Sequence, residues 1–416
     1  MAGIIRGYKV RLEPNNKQTT VLFKFVYNSR YVWNWLVALN IKHYEEHKIY
    51  VTDEKVLRTE LEVHKEYKEW LQRSSVESLR MIVKDYLAAL WKFIKVWNGE
   101  GYKPYTKKQI EKAHRTGKEL TRYDMQKHPK FKKKGMSELS FYRRYDRIKF
   151  ENGKVFLECI STSKKRNRQA LNWVRLSEKN RIPEGAKYSD PRIKFDGFNW
   201  YISVGVAETV EPVELIEETV GIDLNIGSLA HCSDGTIVPS INKDKRILKA
   251  EKSKKRMQKS VSRSYRMNNA EGEWNKTVNI KRKEKAVLKK TRYVTNIRND
   301  FLHKESTKIV ARKPRVIVME DLNIQGMMKN RHLSKAIQKM KWYLFRTMVK
   351  NKSCKQGTLF MLANRYYPSS KRCNCCGAAK KFMHLSERKY ICESCGYVED
   401  RDFNSSYNLR DYPEIM

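Results

Sequence analysis

At 416 residues and 40% hydrophobic content, the chain is long enough for about two to four domains with a real core. Its 87 Lys and Arg against 46 Asp and Glu leave a net charge of +41, far more than solubility needs, and 23 Tyr and 9 Trp are interleaved with them. Such a surface calls for a polyanion that also offers rings to stack on, which makes nucleic acid the expected partner; with no apolar run of about 18 residues and no signal peptide, a membrane is not expected, and the protein reads as cytosolic.

In chain order, residues 8–12 alternate like a strand and are closed by the turn Glu13-Pro14-Asn15-Asn16, which also starts a helix. From Lys17 the apolar residues Leu22, Phe25, Val26, Val32, Leu36 and Leu39 recur at helical steps. Further helices are expected over 52–62 and 75–97. Residues 98–134 mix Gly, Pro, Tyr and Lys without a period, ending in His128-Pro-Lys-Phe-Lys-Lys-Lys-Gly135, and read as a flexible basic connection. Between 139 and 207 short alternating segments separated by turns predict a small antiparallel barrel, completed by the Tyr8 strand.

An acidic linker, 208–218, marks a domain boundary. After it, 220–238 reads as a three-strand meander whose first strand holds Asp223 among apolar neighbours. Residues 243–298 are strongly basic and helical, interrupted near 268–272, and suit a surface that tracks phosphates. Residues 315–322 form a continuous apolar run ending in Glu320, the pattern of a buried parallel strand with a functional residue at its carboxyl end. A helix over 334–350 and a strand over 358–362 follow.

Five of the eight cysteines crowd the C-terminal end. Two C-x-x-C knuckles, Cys373/Cys376 and Cys392/Cys395, present paired thiolates suited to one tetrahedral, structural zinc ion, leaving Cys375 over. That clustering fits a reducing compartment with a metal site rather than disulfides. Arg372, Lys380, Lys381, Arg388 and Lys389 would face nucleic acid from the ribbon so formed. Directly after it comes Glu399-Asp-Arg-Asp402. Asp223, Glu320 and the Asp400/Asp402 pair together suit two magnesium ions about 4 Å apart, one activating water and the other stabilising the leaving oxygen of a phosphodiester. This acid placement is that of an RNase H-like nuclease core.

Taken jointly, the motifs resemble TnpB and the compact type V CRISPR effectors, RNA-guided DNA nucleases with a RuvC domain. The residues that carry the resemblance are Tyr8-Lys-Val-Arg-Leu-Glu-Pro14, Gly221-Ile-Asp223-Leu, Met319-Glu320-Asp-Leu-Asn323, Tyr367-Pro-Ser-Ser370 ahead of Cys373, and Asp400-Arg-Asp402-Phe-Asn404. The resemblance implies Asp223, Glu320 and Asp402 as catalytic carboxylates. It also implies a guide RNA and a double-stranded DNA target beside a short flanking motif; a monomer or a homodimer is expected. The implied fold is multidomain α/β. Residues 1–15 and 139–207 would form a wedge β-barrel, 16–98 a helical recognition lobe, 99–138 a basic connection and 208–218 a linker. Residues 219–369 and 397–416 would form the nuclease core, with the zinc ribbon inserted at 370–396. Ser405-Ser406 departs from the paired alanines usual in the family. A catalytically inactive RNA-guided DNA-binding regulator and an unguided RuvC-type, structure-selective nuclease are the competing expectations.

Overall fold

The computed structural model describes the chain except residues 1–2, 73, 101–104, 106, 118, 121–126, 134–138, 159, 162–169, 210–212, 271–272, 275, 385–386 and 416. It divides into two compact units, one running to Thr209 and the other from Val210 onward.

In the N-terminal unit, strand β1 (Gly3–Glu13) pairs antiparallel with β7 (Trp200–Thr209) along its whole length, from Gly3 opposite Thr209 to Leu12 opposite Trp200. With β2 (Leu139–Tyr142), β3 (Lys149–Glu151), β4 (Lys154–Phe156), β5 (Trp173–Leu176) and β6 (Tyr188–Phe195) they form a seven-stranded antiparallel sheet in the order β2-β6-β7-β1-β5-β4-β3. Alternate residues Val10, Leu12, Ile202, Val204 and Val206 turn inward to a common core. The strand read around Tyr8 therefore sits in the middle of the sheet.

Helix α1 (Asn16–His47) starts at a reciprocal cap in which Asn15 and Gln18 each accept the other's backbone N–H, both at 2.9 Å. Gln18 also donates to the carbonyls of Leu171 and Trp173, so the cap ties the helix to the start of β5. Helices α2 (Glu54–Glu66), α3 (Glu69–Gln72) and α4 (Val76–Trp97) pack on α1 through Val32, Leu36, Leu57, Leu61, Val83 and Leu90.

The expectation that residues 98–134 are a flexible basic connection needs correction. Helix α5 (Lys107–Thr116) lies within it, and residues 130–132 are laid on α1: Asn34 exchanges two hydrogen bonds with Lys132, and Trp33 Nε1 donates to the Lys130 carbonyl. The Lys132 ammonium sits 3.7 Å from the centre of the Trp33 ring. Local composition carries no trace of these partners, because they stand about a hundred residues away in sequence.

The C-terminal unit is built on a five-stranded sheet of order β10-β9-β8-β13-β14. Here β8 (Ile216–Leu224), β13 (Pro314–Glu320) and β14 (Leu359–Ala363) are parallel, while β9 (Ala230–Cys232) and β10 (Ile237–Val238) run antiparallel. The 208–218 linker is shorter than expected, since β7 extends to Thr209 and β8 begins at Ile216, which donates to the Lys313 carbonyl. Between β10 and β13 the basic stretch folds into a hairpin of helices α6 (Lys245–Met267) and α7 (Val278–Val310). The hairpin is tipped by the short pair β11 (Asn269–Ala270) and β12 (Glu273–Trp274). At its base the buried Arg298 bonds Glu251 and Asn242, each at 2.7 Å. Beyond the one-turn α8 (Ile324–Met327), the single helix expected over 334–350 is two, α9 (Ser334–Met340) and α10 (Trp342–Gln356). They break at Lys341, which takes φ 55° while its ammonium reaches Asn299 at 2.6 Å. The break buries Trp342, and periodicity is blind to it because the apolar spacing runs on through it.

Candidate active site and cysteine cluster

Asp223 is the penultimate residue of β8 and Glu320 the last of β13. Met319 pairs with Ile222, so the next residue on each strand puts the two carboxyls level at the carboxyl ends of neighbouring parallel strands. Their side chains are within hydrogen-bonding reach. Burial, followed by the neighbouring Glu320 charge, drives the Asp223 pKa well up, and burial also raises Glu320. Each accepts one hydroxyl: Ser405 Oγ donates to Asp223 at 2.8 Å, and Ser369 Oγ donates to Glu320 at 2.9 Å.

Asp402 arrives on helix α11 (Arg401–Arg410), for which Asp400 is the N-cap, accepting from the backbone N–H groups of Asp402 and Phe403. The helix lies against β8 because Gly221 has no side chain. A Cβ there would stand 2.0 Å from the Ser406 carbonyl oxygen and 2.4 Å from the Arg410 nitrogen. Gly221 and Asp223 share one face of β8, so the close approach that brings Ser405 to Asp223 also brings Asp402 near both other acids, whose pKa values its charge helps raise. Asp402 is further held by Asn225, which donates to Oδ2, and by Arg401 at 3.5 Å.

Besides Ser369, which lies in a motif already read in the sequence, three residues beyond the expected acids belong to this site. His231 stands directly opposite Asp223 on β9, with its ring edge-on to Phe403. Its ligand atoms lie within 4.8 Å of those of Asp400 and Asp402. An ionisable residue between Ala230 and Cys232 in an apolar strand was the available signal. Asn225 had none, lying in an ordinary turn. Ser405, which looks like a departure from family habit, is the donor to Asp223.

The four cysteines converge. Cys373 and Cys395 Sγ are 3.7 Å apart, Cys376 and Cys392 Sγ 3.6 Å, and all four lie within 4.8 Å of one another. Zinc–sulfur bonds of about 2.3 Å at tetrahedral angles put sulfurs about 3.8 Å apart, so the donor set fits zinc. Each knuckle closes the same way. Gly377 and Gly396 take φ of 76° and 71° and donate to the carbonyls of Cys373 and Cys392, a conformation that favours glycine. Cys375 is exposed and outside the group. The Cys392 thiol is lowered, chiefly by the backbone N–H of Cys395, whereas Cys395 is raised.

Cysteine cluster and carboxylates are joined covalently and by amides. From the second knuckle, β16 (Val398–Asp400), paired with β15 (Lys389–Ile391), runs straight into α11. Asn404 donates to the Arg372 carbonyl and accepts from Asn374 N–H, and Asn408 donates to the Ser369 and Arg372 carbonyls. Two asparagines one helical turn apart thus pin the segment that carries both Ser369 and Cys373.

Three families match this chain. One, described as a helix-turn-helix domain, matches residues 1–48; a probable transposase family matches 201–331; the Cas12f1-like TNB domain matches 342–409. The first match falls here on one strand and one long helix rather than on two short helices. A putative RNA-guided DNA endonuclease of Streptomyces pristinaespiralis is 30% identical over 284 residues, 68% of this chain and 65% of the relative. The Escherichia coli K12 protein named putative RNA-guided DNA endonuclease InsQ is 24% identical over 97% of this chain and 91% of its own length. This chain is TnpB-like. A TnpB-like protein of Acanthamoeba polyphaga mimivirus is also similar, at 28% over 141 residues covering 32% of this TnpB-like chain and 26% of the viral one. Among solved structures, one chain of a Cas12f1–sgRNA–target DNA complex aligns over 98% of this chain and 99% of its own at 13% identity, with a TM-score of 0.48. Among the described residues of the TnpB-like chain, no helix is long and apolar enough to cross a membrane.

Proposed function

We propose that this chain is an RNA-guided DNA endonuclease whose C-terminal unit is an RNase H-like (RuvC) core hydrolysing phosphodiesters with magnesium. The observation that carries the reading is the buried Asp223 set beside the half-buried Glu320 at parallel strand ends, with Asp402 on α11 near enough for its charge to raise both. A buried acid with a second carboxyl beside it is costly unless a cation joins them, and carboxylate oxygens suit a hard divalent ion. Bound magnesium would neutralise the phosphate and lower the pKa of the attacking water.

The chain's own residues prepare that site. Ser405 and Ser369 donate to the ionised forms of Asp223 and Glu320, holding each carboxylate in one orientation. Asn225 and Arg401 fix Asp402, and Gly221 sets the distance of α11 from the sheet. One zinc ion at Cys373, Cys376, Cys392 and Cys395 would be structural, since four thiolates leave no open position, and it would hold the ribbon, 370–396, that leads into α11.

The printed names of the relatives support a guide RNA and a DNA target as partners. In the same reading, residues 1–15 and 139–207 are the wedge, closed toward a barrel, and 16–98 the recognition lobe. Residues 219–369 and 397–416 are the nuclease core. Exchange of a DNA duplex for a guide–target heteroduplex is nearly balanced, at about 1.4 kcal/mol of stacking per step on either side, so backbone contacts from a chain of charge +41 tip it.

The test begins with RNA co-purified with the chain, which is sequenced, resupplied and challenged with a plasmid matching its guide segment. We expect cleavage that requires magnesium, RNA and Asp223. Cleavage that survives Asp223→Ala, or proceeds without RNA, refutes the proposal.

A further inference from the structure

In the N-terminal unit, where residues 128–131 pass α1, lies a cavity of about 380 Å³ that no part of the nuclease reading uses. Val37 and Ile41 are among its apolar lining. One wall is a run of stacked rings: Tyr44 on Tyr50, centroids 4.4 Å apart and 11° from parallel, and Tyr50 against His128 at 5.3 Å and 27°. Burial lowers the His128 pKa, so this wall is uncharged near neutral pH.

Phe131 faces the cavity with half its surface exposed, an expensive place for a phenyl ring unless something covers it. The two charged residues lining the cavity are of opposite sign. Lys130 and Glu45 are both exposed, and neither side chain has an ion-pair partner among the described residues. Flat apolar walls, a cation for phosphate and a carboxylate that can only accept hydrogen bonds define a narrow ligand chemistry.

We propose that this cavity takes one unstacked base of a single strand, guanine in preference to the others, with the neighbouring phosphate on Lys130. Guanine presents a ring N–H and an amino group side by side, matching both oxygens of Glu45, whereas uracil offers one donor and adenine or cytosine one amino group. The base stacks on the Tyr44 wall beneath Phe131. The proposal rests on the nucleic-acid reading only in needing a strand to be present, and it asks nothing of the carboxylates in the other unit.

The experiment uses the full chain carrying Asp223→Asn, stripped of nucleic acid, with fluorescein-labelled single strands of about 12 nucleotides read by anisotropy. One set is all uridine, another has a single central guanosine, and both are made as RNA and as DNA. We expect the guanosine strand to bind about tenfold more tightly. Glu45→Gln or Phe131→Ala, both at exposed positions, should erase that preference, and Lys130→Gln should weaken both strands alike. The RNA and DNA arms tell which strand supplies the base. Equal affinity for the two sequences, or a preference that survives both variants, overturns the proposal. Guanosine monophosphate displacing the strand with the strand's own affinity overturns it in favour of a free nucleotide. A chain that cleaves under a guide without guanine preference fails here alone, and one with the preference but no cleavage fails only as a nuclease.

Discussion

Asp223 is costly to the metal-free fold, and the sign of that cost can be worked out. Its pKa, like that of Glu320, is raised in the folded chain, so the folded state binds these protons more tightly than the unfolded state does. Stability from the pair is therefore fully present below the ordinary carboxyl pKa of about 4 and is lost as pH climbs through the raised values. Removing one charge should return it: in EDTA, Asp223→Asn raises Tm, by about 2–4 °C for each kcal/mol recovered, and by more at pH 8 than at pH 5. Magnesium should then raise Tm of the natural chain and leave Asp223→Asn nearly unmoved. Thermal melts at the two pH values check this, and an equal gain at both would show that charge is not the cause.

At the scale of elements, the Asp223 strand was legible because an acid among apolar residues stands out, and Glu320 because a buried parallel strand reads as an unbroken apolar run. Their meeting was expected, but how Asp402 reaches them was not legible from either strand, since the approach of α11 depends on Gly221. That glycine belongs to a motif read in the sequence, but its packing role shows only in space. The same blindness applies to residues 130–132, whose partners Trp33 and Asn34 lie far away, and to Lys341, where tertiary burial of Trp342 overrides a continuing helical period. Ser405 shows the opposite error, a residue set apart by family habit that turns out to contact the acid. Gly221→Ala tests the α11 argument. The added methyl meets backbone at 2.0 Å, so overpacking costs about 1–3 kcal/mol and lifts Asp402 from the sheet edge. Gly7→Ala in β1, where nothing lies within 4 Å, is the matched control. Urea midpoints and cleavage rates should fall for the first and hold for the second; equal effects would mean that close packing at Gly221 does not position the helix.

For the whole molecule, the surplus of 41 positive charges has to act at a distance, through the ions it displaces. Helix α6 shows how: only Ile247 and Ala250 are buried along its length, and Lys252, Lys255 and Lys259 fall on one exposed face at helical spacing with no acidic partner among the described residues. Each such lysine that meets a phosphate releases about one counterion, which steepens the fall of log affinity with log salt by about 0.7–0.9. The triple change of these three lysines to glutamine should therefore lower the slope by about 2–3 while leaving Tm in place, because surface substitutions of this kind cost within about 0.5 kcal/mol. Filter binding of the Asp223→Asn chain to nucleic acid across a salt series measures it. Loss of affinity with an unchanged slope would mean that these lysines shape the hairpin rather than neutralise phosphate, and the excess charge would then need another location.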